Sequence, residues 1–173
     1  MKKAVYGTLA IVLGIGLAMA LFATFRSYEI VGSSMLPTLE EDETVIINKI
    51  AYNKNAPKVG DIIVFPAKIN AANGEGRHLV KRVIAIENQT VLISDGNVCV
   101  DMDILKEDYV FSQNSSGDMA PIKLEKDKVF VLGDNRAISV DSRDKTVGQI
   151  DISEIEGKVV FRLWPLKKLG TVK

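Results

Sequence analysis

The chain has 173 residues, of which 47% are hydrophobic, and its 22 Lys+Arg balance 22 Asp+Glu. A formal charge of zero gives none of the basic footprint expected of a nucleic-acid binder, so no nucleic-acid partner is expected. A single cysteine cannot close an internal disulfide, and with one histidine the chain lacks a zinc-ligand cluster. No metal or cofactor is expected, and the fold must rest on its core.

In chain order, the first element is an uncharged apolar run over residues 4–25, rich in Ala, Leu, Ile, Val, Gly and Phe. At 1.5 Å per residue, about 20 helical residues cross the ~30 Å hydrocarbon core. Lys2 and Lys3 precede the run and Arg26 closes it. This pattern predicts a cytoplasmic tip at 1–3, one transmembrane helix at 4–25 and an extracytoplasmic domain at 26–173. Ala18-Met19-Ala20 has the A-x-A form of a cleaved signal peptide. The apolar run continues past it to Phe25, longer than the ~7–15 residues of a signal h-region, so a retained anchor is expected.

Residues 44–50, 61–65, 79–86, 90–93, 128–132 and 158–163 are short, β-branched and bounded by turn residues, and are predicted strands. Asp95-Gly96 predicts a hairpin turn. Residues 70–77 form an Asn/Gly/Ala-rich loop, and 103–127, charged and weakly periodic, predicts an excursion away from the core without a catalytic part. Cys99 between Val98 and Val100 predicts a buried, inert thiol. The expected fold class is therefore mainly β, an antiparallel β-sheet catalytic domain following a single N-terminal transmembrane α-helix.

Three stretches carry candidate chemistry. Gly32-Ser33-Ser34-Met35-Leu36-Pro37-Thr38-Leu39 places two serines before a proline that fixes its own φ and biases its predecessor to extended backbone. Most such pairs only make turns; a nucleophile needs an exposed, fixed hydroxyl beside a base. His78 is the only histidine and lies at the edge of the Asn/Gly loop, where a solvated ring is the ordinary reading. Lys81 shares a strand face with Leu79 and Val83. A free lysine, with pKa about 10.4, is no base near neutrality, but burial lowers such groups by ~3–5 units. An edge-strand lysine that blocks aggregation is the alternative. The third stretch, residues 132–143, is dense in Asp, Arg and Ser: either a solvated loop with weak ion pairs or a cross-braced support for a site.

Together these segments resemble the bacterial type I signal peptidases, membrane-anchored serine proteases with a Ser/Lys dyad. Ser34-Met35-Leu36-Pro37-Thr38-Leu39 is similar to the family's nucleophile box. Gly60-Asp61-Ile62-Ile63-Val64-Phe65 is similar to a family strand, and Lys81-Arg82-Val83 to its base box. Gly133-Asp134-Asn135-Arg136, with Ser139, Asp141, Ser142 and Arg143, is similar to its G-D-N-R-x-x-S-x-D-S-R box.

The resemblance implies Ser34 as nucleophile and Lys81 as general base, acting through an acyl-enzyme, with His78 not needed. It implies Ser139 as the residue that orients the lysine, and Asp141, Arg143, Asp134 and Arg82 as charged braces. The oxyanion would bind the Ser34 backbone N–H. Where some members add a serine hydroxyl two positions earlier, this chain has Gly32. Losing one such donor costs ~2.7–4 kcal/mol, so the backbone or Ser33 would contribute more. After Val83, where the family commonly has Gly-x-Pro-Gly-Asp, this chain has Ile84-Ala85-Ile86-Glu87-Asn88-Gln89. An extended substrate, small at one and three positions before the cut, would lie along Glu29, Ile30, Val31, Gly32 and Ser33 and along His78, Leu79 and Val80. The implied partners are exported precursors with signal peptides and the lipid bilayer, with the enzyme a monomer. The alternatives are a Ser/Lys peptidase dedicated to one pilus or surface protein, a non-catalytic membrane-anchored binding domain, and a soluble self-cleaving regulator, which the anchor disfavours.

Overall fold

The computed structural model of the chain describes residues 2–67, 78–110 and 117–172. The expected loop at 70–77 lies outside the described residues. The first element, α1 (Lys2–Thr24), is a helix of 23 residues. Its described side chains are mostly exposed, Ile11, Leu13, Leu17 and Phe22 among them. Among the described residues no helix is long and apolar enough to cross a membrane.

The rest is antiparallel β structure. The strands are β1 (Phe25–Glu29), β2 (Thr44–Asn48), β3 (Ile62–Pro66), β4 (His78–Ala85), β5 (Thr90–Ser94) and β6 (Asn97–Val100). They continue with β7 (Asp103–Ile104), β8 (Met119–Lys123), β9 (Lys128–Leu132), β10 (Ile150–Asp151), β11 (Gly157–Trp164) and β12 (Gly170–Thr171). The larger sheet runs β1-β2-β11-β3-β4-β9-β10, with β12 paired to β11; the smaller runs β7-β6-β5-β8.

β3 explains the layering. Its residues alternate in direction, and both sets are apolar. Ile62 and Val64 pack with Ile30, Met35, Leu39, Val45, Ile47 and Val159. Ile63 and Phe65 pack on the other side with Val83, Val129, Val131, Val147 and Ile150. A strand buried on both faces reads as a continuous apolar run, and 62–65 is one. A third cluster joins the end of β4 (Ile84, Ala85) and β9 (Phe130, Leu132) to β5 and β6 of the smaller sheet.

Asp95 (φ 50°) and Gly96 (φ 76°) both adopt the left-handed region that a two-residue hairpin requires, joining β5 to β6. The turn that departs from the family pattern is closed by Asn88 at φ 68° and by the Gln89 side chain, which accepts the Ile86 N–H at 3.0 Å.

Two expectations need correction. The described residues of segment 103–127, which are 103–110 and 117–127, do not form an excursion away from the core. They supply β7 and β8, and Leu124, 2% exposed, fills the third cluster. Cys99 is half-buried. Val98 and Val100 take the core face of β6, so alternation turns the residue between them the other way.

Candidate active site

The serine stretch forms a turn held from below. Met35 (1% exposed) and Leu39 (0%) sink into the core, and the Leu39 N–H donates to the Met35 carbonyl at 2.9 Å. Ser34, next to Met35 in the chain, is half-buried. β4 brings Lys81 across from a distant part of the chain. Lys81 is 2% exposed, its neighbours Leu79 and Val83 packing in the cluster beneath. Its Nζ lies 2.8 Å from Ser34 Oγ and 2.9 Å from the Val80 carbonyl oxygen. A buried amine at this distance is poised to take the hydroxyl proton when neutral.

Residues 132–143 wrap this pair. The Asn135 N–H donates to the Ser34 carbonyl at 3.0 Å and its Nδ2 to the Ser33 carbonyl at 3.2 Å. Arg82, adjacent to Lys81, grips the fully buried Asp134 with Nε and Nη2 at 2.9 and 2.8 Å, and reaches Gly60 O and Thr38 Oγ1. The Thr38 hydroxyl donates to the same Asp134 carboxylate. Asp141, also fully buried, accepts the Gly133 N–H at 3.0 Å and is held by Arg143 at 2.8 and 2.9 Å. Ser142 exchanges two bonds with Val131 of β9, tying the loop to the sheet. The Arg82–Asp134 and Arg143–Asp141 pairs are bidentate and charge-assisted, and they fix geometry in a way that exposed pairs do not.

Ser139 sits beside the pair without the bond to Lys81 that the resemblance implied. Its Oγ is buried and has no hydrogen-bond partner. Gly133 shows how close the packing is: a Cβ there would stand 2.2 Å from Ser139 Oγ and 2.5 Å from the Ser34 carbonyl oxygen. Only glycine fits.

A groove of about 670 Å³ opens over Ser34 and Lys81. All eight residues expected along the substrate line it: Glu29, Ile30, Val31, Gly32, Ser33, His78, Leu79 and Val80. So do Tyr28, Met35, Ile138 and Val140, which the sequence did not suggest. Gly32 has φ +83° and donates its N–H to Glu41 Oε1 at 3.2 Å. His78 is not a free solvated ring. Its Nε2 lies 2.7 Å from Glu156 Oε1, and its ring meets Tyr28 edge-on at 5.4 Å. The Tyr28 hydroxyl also donates to Glu156, and burial, then that bond, push its phenol up to about 12.

Serine, buried lysine and braced loop on a β scaffold raise the question of ancestry, and residues 2–164 match the model of the family "Signal peptidase, peptidase S26". The chain belongs to the signal peptidase S26 family. Among its relatives, the signal peptidase I of Leptolyngbya laminosa is 37% identical over 90% of this chain and 79% of that protein. Signal peptidase I T of Bacillus subtilis (strain 168) is 32% identical over 95% of this chain and 87% of its own length. A crystal structure of a signal peptidase I from Enterococcus faecalis V583 superposes with a TM-score of 0.50 at 28% identity, covering 60% of this chain and 97% of that one.

Proposed function

We propose that this member of the S26 family is a membrane-bound serine endopeptidase that removes N-terminal signal peptides from exported precursors, with Ser34 as nucleophile and Lys81 as general base. The observation that carries the reading is the 2.8 Å contact between Ser34 Oγ and the buried Lys81 Nζ on the floor of an open groove. Relatives named signal peptidase I, similar over most of both chains, support the activity.

The neutral Lys81 amine takes the Ser34 hydroxyl proton as Oγ attacks the scissile carbonyl. The oxyanion is met by the Ser34 backbone N–H, which makes no hydrogen bond among the described residues, with Ser33 as the nearest hydroxyl to help. The C–N bond breaks, Lys81 returns the proton to the leaving amine, and the signal peptide stays esterified to Ser34. Water, deprotonated by Lys81, then releases it. Asp134, Arg82, Asp141 and Arg143 hold the loop and strand that present the pair. Ser139, with its buried hydroxyl unpartnered, is assigned to orient the amine during turnover.

The substrate adds as an extended segment between residues 29–33 and 78–80, so main-chain bonds supply affinity while shallow apolar pockets admit small side chains. The anchor is assigned from the sequence alone, to the uncharged run of residues 4–25, and Lys2 and Lys3 favour a cytoplasmic tip with residues 26–173 outside. The enzyme acts as a monomer in the bilayer. The test uses precursors with Ala, or with a bulky residue, one and three positions before the cut, and sequences the product's new N-terminus. Release after Ala, blocked by bulky residues at either position, is expected; cleavage indifferent to both positions overturns the specificity, and no cleavage overturns the activity.

A further inference from the structure

Segment 103–127 matches no family box, yet two of its side chains reach the machinery. Arg136, 2% exposed, donates Nε to the Gly133 carbonyl at 2.9 Å. Its two Nη atoms form a fork onto Glu107, at 2.9 Å to Oε2 and 2.6 Å to Oε1. The Glu107 carboxylate also accepts the Tyr109 hydroxyl at 2.7 Å. The ring of Tyr109 lies over the other buried guanidinium, its centroid 3.9 Å from Arg82 Cζ. One acidic and one aromatic side chain, two residues apart, therefore engage the arginine of the G-D-N-R stretch and the arginine beside Lys81.

We propose that Glu107 and Tyr109 are positioning residues for the Ser34/Lys81 reaction: a brace that fixes the Gly133–Asn135 loop against the Ser34 backbone and Arg82 against Asp134. The route is short at each step. Glu107 sets the Arg136 guanidinium, Arg136 sets the Gly133 carbonyl, and two residues on Asn135 holds the Ser33 and Ser34 carbonyls. On the other branch, Tyr109 covers one face of the Arg82 plane, whose edge is taken by Asp134, Gly60 and Thr38. A guanidinium stacked on one face and forked on its edge has one position left to occupy. Neither side chain lines the groove, so neither touches substrate. Their effect is on the alignment of the reacting pair, where a displacement of about 1 Å can cost ~10²-fold in rate. This inference rests on the dyad reading above.

The experiment measures kcat and KM of the full chain in detergent, on a peptide with Ala one and three positions before the cut, well below each variant's Tm. The parent, Glu107→Gln, Tyr109→Leu and Tyr109→Phe are compared. Glu107→Gln and Tyr109→Leu are expected to lower kcat by at least ~10-fold with KM within about twofold. Tyr109→Phe, which keeps the ring over Arg82, should restore most of the loss seen with Leu. A brace that matters only for folding lowers Tm and leaves kcat per folded molecule at the parent value; that result overturns the proposal. If Glu107→Gln does not fold, the Leu/Phe pair at 109 decides alone. A parent that does not cleave overturns the dyad reading itself, separately from the brace.

Discussion

Gly133 is the residue where packing and chemistry meet most tightly. A methyl group there would lie 2.2 Å from Ser139 Oγ and 2.5 Å from the Ser34 carbonyl oxygen. The serine side chain can rotate, but the backbone oxygen can move only by displacing the nucleophile turn. Gly133→Ala should therefore cost about 1–3 kcal/mol in denaturant unfolding and depress kcat more than KM; unchanged kcat would mean that the turn yields freely. Tyr28 lines the groove. Its phenol is raised from 10.0 to about 12 by burial first and then by the bond to Glu156. A folded pKa above the unfolded value means the stabilisation is complete below pH 10 and fades as pH rises through about 12. The parent should lose stability across that window faster than Tyr28→Phe; equal alkaline slopes in urea titrations would remove Tyr28 as the cause. At this scale, the motifs in the sequence pointed to side chains that the structure brings together: Ser34 Oγ lies 2.8 Å from Lys81 Nζ, and the eight residues named for the substrate line one groove. Glu107 and Tyr109 were not signalled, because a side chain that acts through an arginine about thirty residues away leaves no local pattern.

At the scale of elements, the buried strands could be read and the exposed edge strands could not. β2, β3, β4, β5, β9 and β11 carry β-branched apolar runs that need burial and show it in composition. β1, Phe25-Arg26-Ser27-Tyr28-Glu29, is largely exposed and pairs along only one edge, with β2, so no apolar pattern announces it. β8 contains Pro121 and exposes most of its residues on an edge of the smaller sheet, where a missing N–H is tolerated. Such edges exist because a partner strand is already there, which a local reading cannot know. The small sheet is fastened by the cluster that Leu124 shares with Phe130 and Leu132. Leu124→Ala should destabilise the chain by about 2–5 kcal/mol in chemical denaturation. A loss under 1 kcal/mol would show that the two sheets are not packed through this cluster.

The described residues join helix α1 to a β body whose groove holds Ser34 and Lys81. Ser34 and Lys81 are 47 residues apart in sequence and meet only because β4 runs beside β3 beneath the serine turn. Neither periodicity nor composition shows that meeting; the ordered motifs implied it. The most direct test is cleavage of a precursor by the full chain in detergent, beside Ser34→Ala and Lys81→Ala. We expect mature product from the parent and a loss of at least ~10³-fold in each variant, since members of one catalytic unit fail together. Cleavage by either variant within tenfold of the parent would contradict the Ser34/Lys81 mechanism.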